Sequence, residues 1–130
     1  MEVSVYLRTM INNLPAGRQG LKRLGGNKDG PPGITGHYAH GDKVTFGLVE
    51  LRKGSSVPLH HHMNEQITYM IEGQLDMVIG GKACSLTDGM YNIIHSNVPH
   101  SAVAITDCKL IDVFGPVREE YKTTEAPNWK

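Results

Sequence analysis

Cysteine, charge imbalance and long apolar runs are all missing from this chain, and each shortage removes a class of explanation. Only two cysteines occur, Cys84 and Cys108. Neither lies in a Cys-x-x-Cys motif, and buried free thiols are expected rather than a bridge between them. Lys+Arg and Asp+Glu are equal at 13 each, with no basic cluster, so nucleic acid is not an expected partner. No stretch reaches the ~18 consecutive apolar residues that suggest a membrane-spanning helix, so no membrane partner is expected. The beginning, Met1-Glu-Val-Ser-Val-Tyr-Leu-Arg8, lacks the basic start, apolar core and small-residue cleavage site of a signal peptide. The expected compartment is the cytoplasm. Helical periodicity is also absent beyond a turn near 117–123.

What remains is a β pattern. From Val44 onward, short runs rich in β-branched and aromatic residues recur between Gly, Asp and Asn turns. They predict strands at 44–52, 57–61, 66–72, 74–79, 82–86, 91–94, 100–105 and 109–114, with hairpin turns at Glu72-Gly73 and Gly80-Gly81. Residues 1–41 differ, holding eight of the 15 glycines and the Pro31-Pro32 pair. A strand is expected at 3–11 and mostly loop at 15–41, with a short strand near 21–24 as an option. The expected division is an N-terminal strand and glycine-rich extension at 1–41, a β-barrel domain at 42–123 and a tail at 124–130. One all-β domain of this length can close a single core.

Two segments carry chemistry. The first reads Gly54-Ser-Ser-Val-Pro-Leu-His60-His61-His62-Met-Asn-Glu65-Gln66, and the second Ile94-His95-Ser-Asn97-Val-Pro99-His100. On an extended strand alternate side chains share a face, so His60 and His62 point inward together while His61 points out. Imidazole nitrogen suits zinc, copper, iron or nickel better than calcium or magnesium. Gln66 is the candidate fourth ligand, through its carbonyl oxygen, because the adjacent Glu65 should face away. Three imidazoles and an amide leave a bound ion its full charge, which favours a Lewis acid polarising a substrate oxygen. His95 is either at the pocket mouth or on the surface.

The later segment Leu110-Ile-Asp112-Val-Phe114-Gly-Pro116-Val-Arg118-Glu-Glu-Tyr121 places Leu110, Asp112 and Phe114 on one strand face. An aspartate among aliphatics is out of place unless something pairs with it. Asp112 either meets water at a sheet edge, pairs with Arg118, or stands in the barrel mouth as a proton carrier. Phe114 would then be an apolar wall, and Arg118 would grip a carboxylate with its two-pronged guanidinium.

The spacing Gly-x5-His60-x-His62-x3-Gln66-x6-Gly73, followed by Pro99-His100, resembles the paired signature motifs of the cupin superfamily. With Asn97-Val-Pro-His100-Ser-Ala and Asp112-Val-Phe114-x-Pro116-x-Arg118 added, the chain is most similar to the pectin-degradation cupins. The resemblance implies a single-domain, double-stranded jelly-roll β-barrel. It implies one divalent transition metal (nickel, zinc, iron or manganese) on His60, His62, Gln66 and His100, with Asp112, Phe114 and Arg118 serving a small sugar-acid substrate. The implied reaction is linearisation of 4,5-unsaturated monouronates. The alternatives are a metal-dependent dioxygenase of the quercetinase-like type and a non-catalytic sugar- or metabolite-binding cupin. A homodimer formed through N-terminal strands is a further expectation.

Overall fold

Residues alternating between apolar and polar favour strands that bury one face, and most of this chain follows that rule. The computed structural model describes Leu24 and residues 27–122. Within them run β1 (Asn27–Asp29), β2 (Ile34–His40), β3 (Thr45–Leu51), β4 (Ser56–His60), β5 (Glu65–Glu72), β6 (Gln74–Ile79), β7 (Lys82–Thr87), β8 (Tyr91–Ile94), β9 (His100–Ala104) and β10 (Cys108–Gly115). A single 3-10 turn follows at Glu119–Lys122. A six-stranded sheet, ordered β1-β2-β3-β10-β5-β8, faces a four-stranded sheet, ordered β4-β9-β6-β7. This is the expected all-β, double-sheet jelly roll. Among the described residues no helix is long and apolar enough to cross a membrane.

Each of the eight strands expected after residue 43 is present, with bounds within one residue. The hairpins turn where expected. Gly80 and Gly81 have φ of 56° and 81°, the paired positive φ of a tight two-residue turn. Gly73 has φ 114°, and a Cβ there would lie 2.9 Å from the Cα of Cys108.

The stretch expected to be mostly loop at 15–41 contains two strands, β1 and β2, which is a correction over 27–40. β2 pairs with β3 along its whole length, from Ile34↔Leu51 to His40↔Thr45, and β1 pairs with β2. Among the described residues the sheet therefore begins at residue 27, and residue 42 falls in the turn between β2 and β3. The sequence Ile-Thr-Gly-His-Tyr-Ala-His hides its strand because Gly36 takes a buried position with no side chain to signal it. Pairing with β3 overrides that weak local preference. Leu24 has no regular structure. The strand expected at 3–11, the dimer through N-terminal strands and the tail at 124–130 lie outside the described residues. Both cysteines are free thiols. Cys108 is buried, as expected, but Cys84 on β7 is exposed.

Inward faces grade from apolar to polar along the barrel. On β5 the buried residues are Gln66, Thr68 and Met70, and on β3 Thr45, Gly47, Val49 and Leu51. On β10 the inward series is Cys108, Leu110, Asp112, Phe114, and on β9 it is His100, Ala102, Ala104. Met70, Leu75, Leu86, Leu110 and their neighbours fill one end as a continuous core. Polar side chains gather at the other end, where a buried charge or lone pair needs a partner.

Candidate functional site

Three imidazoles come from the four-stranded sheet and the loop leaving it. His60 and His100 face each other across the β4–β9 pairing, with ring centres 4.2 Å apart. β4 ends at His60, and the β4–β9 register shifts between Val57 and His60. His62 therefore lies just past the strand, and simple alternation does not explain its inward aim. A local hydrogen bond does: His62 Nδ1 donates to the Asn64 carbonyl at 2.9 Å. His60 Nδ1 donates to the Pro58 carbonyl at 2.8 Å, and His100 Nδ1 to the Val98 carbonyl at 2.8 Å. A carbonyl can only accept, so each Nδ1 carries the proton and each Nε2 presents a lone pair. His61 is exposed, as expected.

The nitrogens of His60, His62 and His100 lie within 4.8 Å of one another. Burial lowers the pKa of all three, with His100 pushed down to about 4. They are neutral near pH 7, the form that binds metal. His100 Nε2 is buried with no hydrogen-bond partner. His62 Nε2 stands 3.1 Å from Gln66 Oε1, and with Nδ1 protonated both of these atoms are acceptors. An orphaned lone pair and two facing acceptors are costly unless a cation satisfies them. The donor set fits a divalent transition ion.

The opposite wall comes from the six-stranded sheet. Asp112 sits directly across from Thr68 in the β10–β5 register, and Phe114 across from Gln66. This puts Gln66 on the diagonal from Asp112, within reach of long side chains. Thr68 Oγ1 donates to Asp112 Oδ1 at 2.6 Å, and Gln66 Nε2 donates to the same oxygen at 3.1 Å and to Thr68 Oγ1 at 2.9 Å. Asp112 is on a central strand between β3 and β5, which overturns the sheet-edge reading. The alternative of an Asp112–Arg118 pair is corrected too, because Arg118 pairs with Glu120 through Nε. Burial pushes the Asp112 carboxyl up to about 6, against the pull of its two hydrogen bonds and the Arg118 charge.

Arg118 is buried, only 7% exposed, an unusual place for a guanidinium. Its guanidinium carbon lies 4.7 Å from the Phe114 ring centre and 4.2 Å from that of Tyr121, and both rings offer cation–π attraction. Its backbone nitrogen donates to Thr45 Oγ1 at 2.9 Å. Phe114 is buried with its ring edge-on to His62, 5.7 Å between centres.

His60, Gln66, His100, Asp112, Phe114 and Arg118 all line one small cavity of about 60 Å³, below the roughly 300–1,000 Å³ usual for enclosed small-molecule sites. His95 does not join them. It is exposed, with Nδ1 3.5 Å from Glu65.

Four further residues shape the site. Thr68 was legible as the same-face neighbour of Gln66. Asn64 supplies the carbonyl that orients His62, and its buried side chain donates to the Pro116 carbonyl at 2.6 Å. Tyr38 and Tyr121 also line the cavity, their ring centres 4.4 Å apart. Their phenols hydrogen-bond to each other, and burial raises both pKa values. Tyr38 lies across from Gly47, where a Cβ would come within 2.6 Å of its ring. A glycine opposite an aromatic residue was the available signal, but it needs the β2–β3 register to be read.

The Cupin domain family matches residues 47–114, and no curated protein matches the chain. An RmlC-like cupin from Shewanella frigidimarina is 27% identical, with 73% of this chain and 86% of that one covered, at a TM-score of 0.69. KdgF from Halomonas sp. is 26% identical, with 78% and 94% covered, at 0.71. The polyketide cyclase RemF from Streptomyces resistomycificus is 22% identical, with 68% of each chain covered, at 0.60, a likeness of fold.

Proposed function

The chain belongs to the cupin family, and from that premise we propose that it opens the ring of 4,5-unsaturated monouronates, giving linear keto acids in pectin or alginate breakdown. One observation carries the reading. Asp112, Phe114 and Arg118, through which the sequence resembles the pectin-degradation cupins, line the same cavity as His60 and His100 of the histidine cluster. On this reading His60, His62, Gln66 and His100 hold one divalent transition metal, such as nickel, zinc, iron or manganese. The ion, when bound, supplies a Lewis acid for a substrate oxygen.

The residues of the chain do the rest. Arg118 grips the uronate carboxylate through its Nη nitrogens, since Nε is taken by Glu120. Phe114 walls the ring from water. Asp112 takes the proton of the anomeric hydroxyl. The bond between the anomeric carbon and the ring oxygen breaks, the anomeric carbon becomes an aldehyde, and the ring oxygen becomes a ketone as the alkene carbon takes up a proton from Asp112. Atoms and electrons balance with no oxidant. Both hydrogen bonds to Asp112 fall on Oδ1, so Oδ2 is the oxygen assigned to the proton.

The test is loss of the conjugated-alkene absorbance of unsaturated galacturonate, against the spontaneous rate. Acceleration that disappears with chelator and returns with a divalent metal is the expected result. Asp112→Asn should lower turnover ~10²–10⁴-fold while metal stays bound. A metal-loaded protein no faster than the spontaneous rate would remove this substrate, and oxygen consumption would then test the dioxygenase alternative.

A further inference from the structure

An amide side chain has two distinct ends, and whichever end faces the imidazoles decides whether Gln66 can accept a cation. Turned one way, Gln66 offers Oε1 to the cluster. Turned by half a revolution, it offers Nε2–H, which would donate to His62 Nε2 and block the site. The local surroundings on β5 do not choose between these. Thr68 Oγ1 can donate or accept. The choice comes from β10. Gln66 Nε2 donates to Thr68 Oγ1 at 2.9 Å and to Asp112 Oδ1 at 3.1 Å. Thr68 spends its own hydrogen on the same Oδ1 at 2.6 Å. A carboxylate only accepts, so it rejects the flipped amide, whose Oε1 would face it at hydrogen-bond distance.

We infer that Asp112, acting with Thr68, is the positioning residue that turns the Gln66 carbonyl toward the three imidazoles, and that this explains why an amide rather than a carboxylate occupies position 66. A glutamate there would have no hydrogen for Asp112 Oδ1 or Thr68 and would set two carboxylates against each other in a buried pocket. The inference rests on the reading of Gln66 as the fourth ligand, but not on the uronate reaction. Asp112 then has two functions on two oxygens: Oδ1 orients the ligand, and Oδ2 meets the substrate.

Charge and acceptor can be separated experimentally. Asp112→Asn removes the charge but keeps an acceptor for Gln66. Asp112→Leu keeps the shape and removes both. With Co²⁺ as the probe, Asp112→Asn should bind within about threefold of the unmodified protein and keep its visible absorption bands. Asp112→Leu should bind at least ~10-fold more weakly, with altered bands, as outer-shell losses typically do. Equal Co²⁺ affinity and bands in all three proteins would overturn the inference, as would an equal loss in the two variants.

Isosteric substitutions on the metal-free protein keep the test decisive if Asp112→Leu fails to fold. Gln66→Glu should lower the melting temperature by about 4 °C or more. Adding Asp112→Asn should restore most of it, because an amide at position 112 can donate to a carboxylate at position 66. A melting temperature for Gln66→Glu that is indifferent to the second substitution would overturn the inference. Neither readout depends on turnover, so failure of the uronate reading leaves both intact, and failure here leaves the uronate assay standing.

Discussion

The two walls of the cavity orient their side chains by different means. On the imidazole wall each ring is held by a backbone carbonyl two residues away: Pro58 for His60, Asn64 for His62, Val98 for His100. On the opposite wall Gln66 is held by a residue 46 positions along the chain. One wall is anchored by its own local backbone, the other by pairing between β5 and β10. Damage to one imidazole should therefore stay confined to that ligand. Damage to the amide wall should pass through several side chains.

Three substitutions test this difference between the walls. The largest effect is expected for His100→Ala, which removes an imidazole whose Nε2 has no other partner. Co²⁺ affinity measured by competition with a chelator should fall beyond the roughly 10–100-fold of outer-shell losses. Retained affinity would show that the imidazole wall is not a metal site. Next comes Thr68→Val, of the same shape but without the hydroxyl that bridges Gln66 and Asp112. It should weaken Co²⁺ by about 10-fold and alter the visible bands, although the change removes no ligand. No change in the bands would mean that Gln66 keeps its orientation without the network. The smallest effect is expected for His61→Ala, an exposed ring between two inward ones. Its Co²⁺ affinity and melting curve should match the unmodified protein, with affinity within about twofold. A larger loss would place the wrong histidines inside.

The barrel was legible from Val44 onward because its strands alternate and its turns carry glycine, both of them local signals. β2 was missed because a strand with glycine on its buried face carries little hydrophobic pattern. The assignment of His60 and His62 to one face came from strand alternation, yet His62 lies beyond the end of β4 and is aimed by Asn64. The role of Asp112 was legible as an anomaly, a carboxylate among aliphatics. What it pairs with was not, and the pairing with Arg118 expected as an option gave way to Thr68 and Gln66. Tyr38 and Tyr121 were missed because they meet only after strand and C-terminal turn are folded together.

Local residue patterns are enough to set where strands begin and end after residue 43, which histidines are available, and that one aspartate is misplaced for a simple core. Period-two alternation and glycine turns act over a few residues, so a linear reading reaches them. The tertiary structure alone decided which end of Gln66 faces the imidazoles, which oxygen of Asp112 is engaged, and that Arg118 rests on Phe114 and Tyr121. Those outcomes depend on register between strands far apart in sequence. Register is set by the burial of whole strand faces together, not by any short stretch of residues.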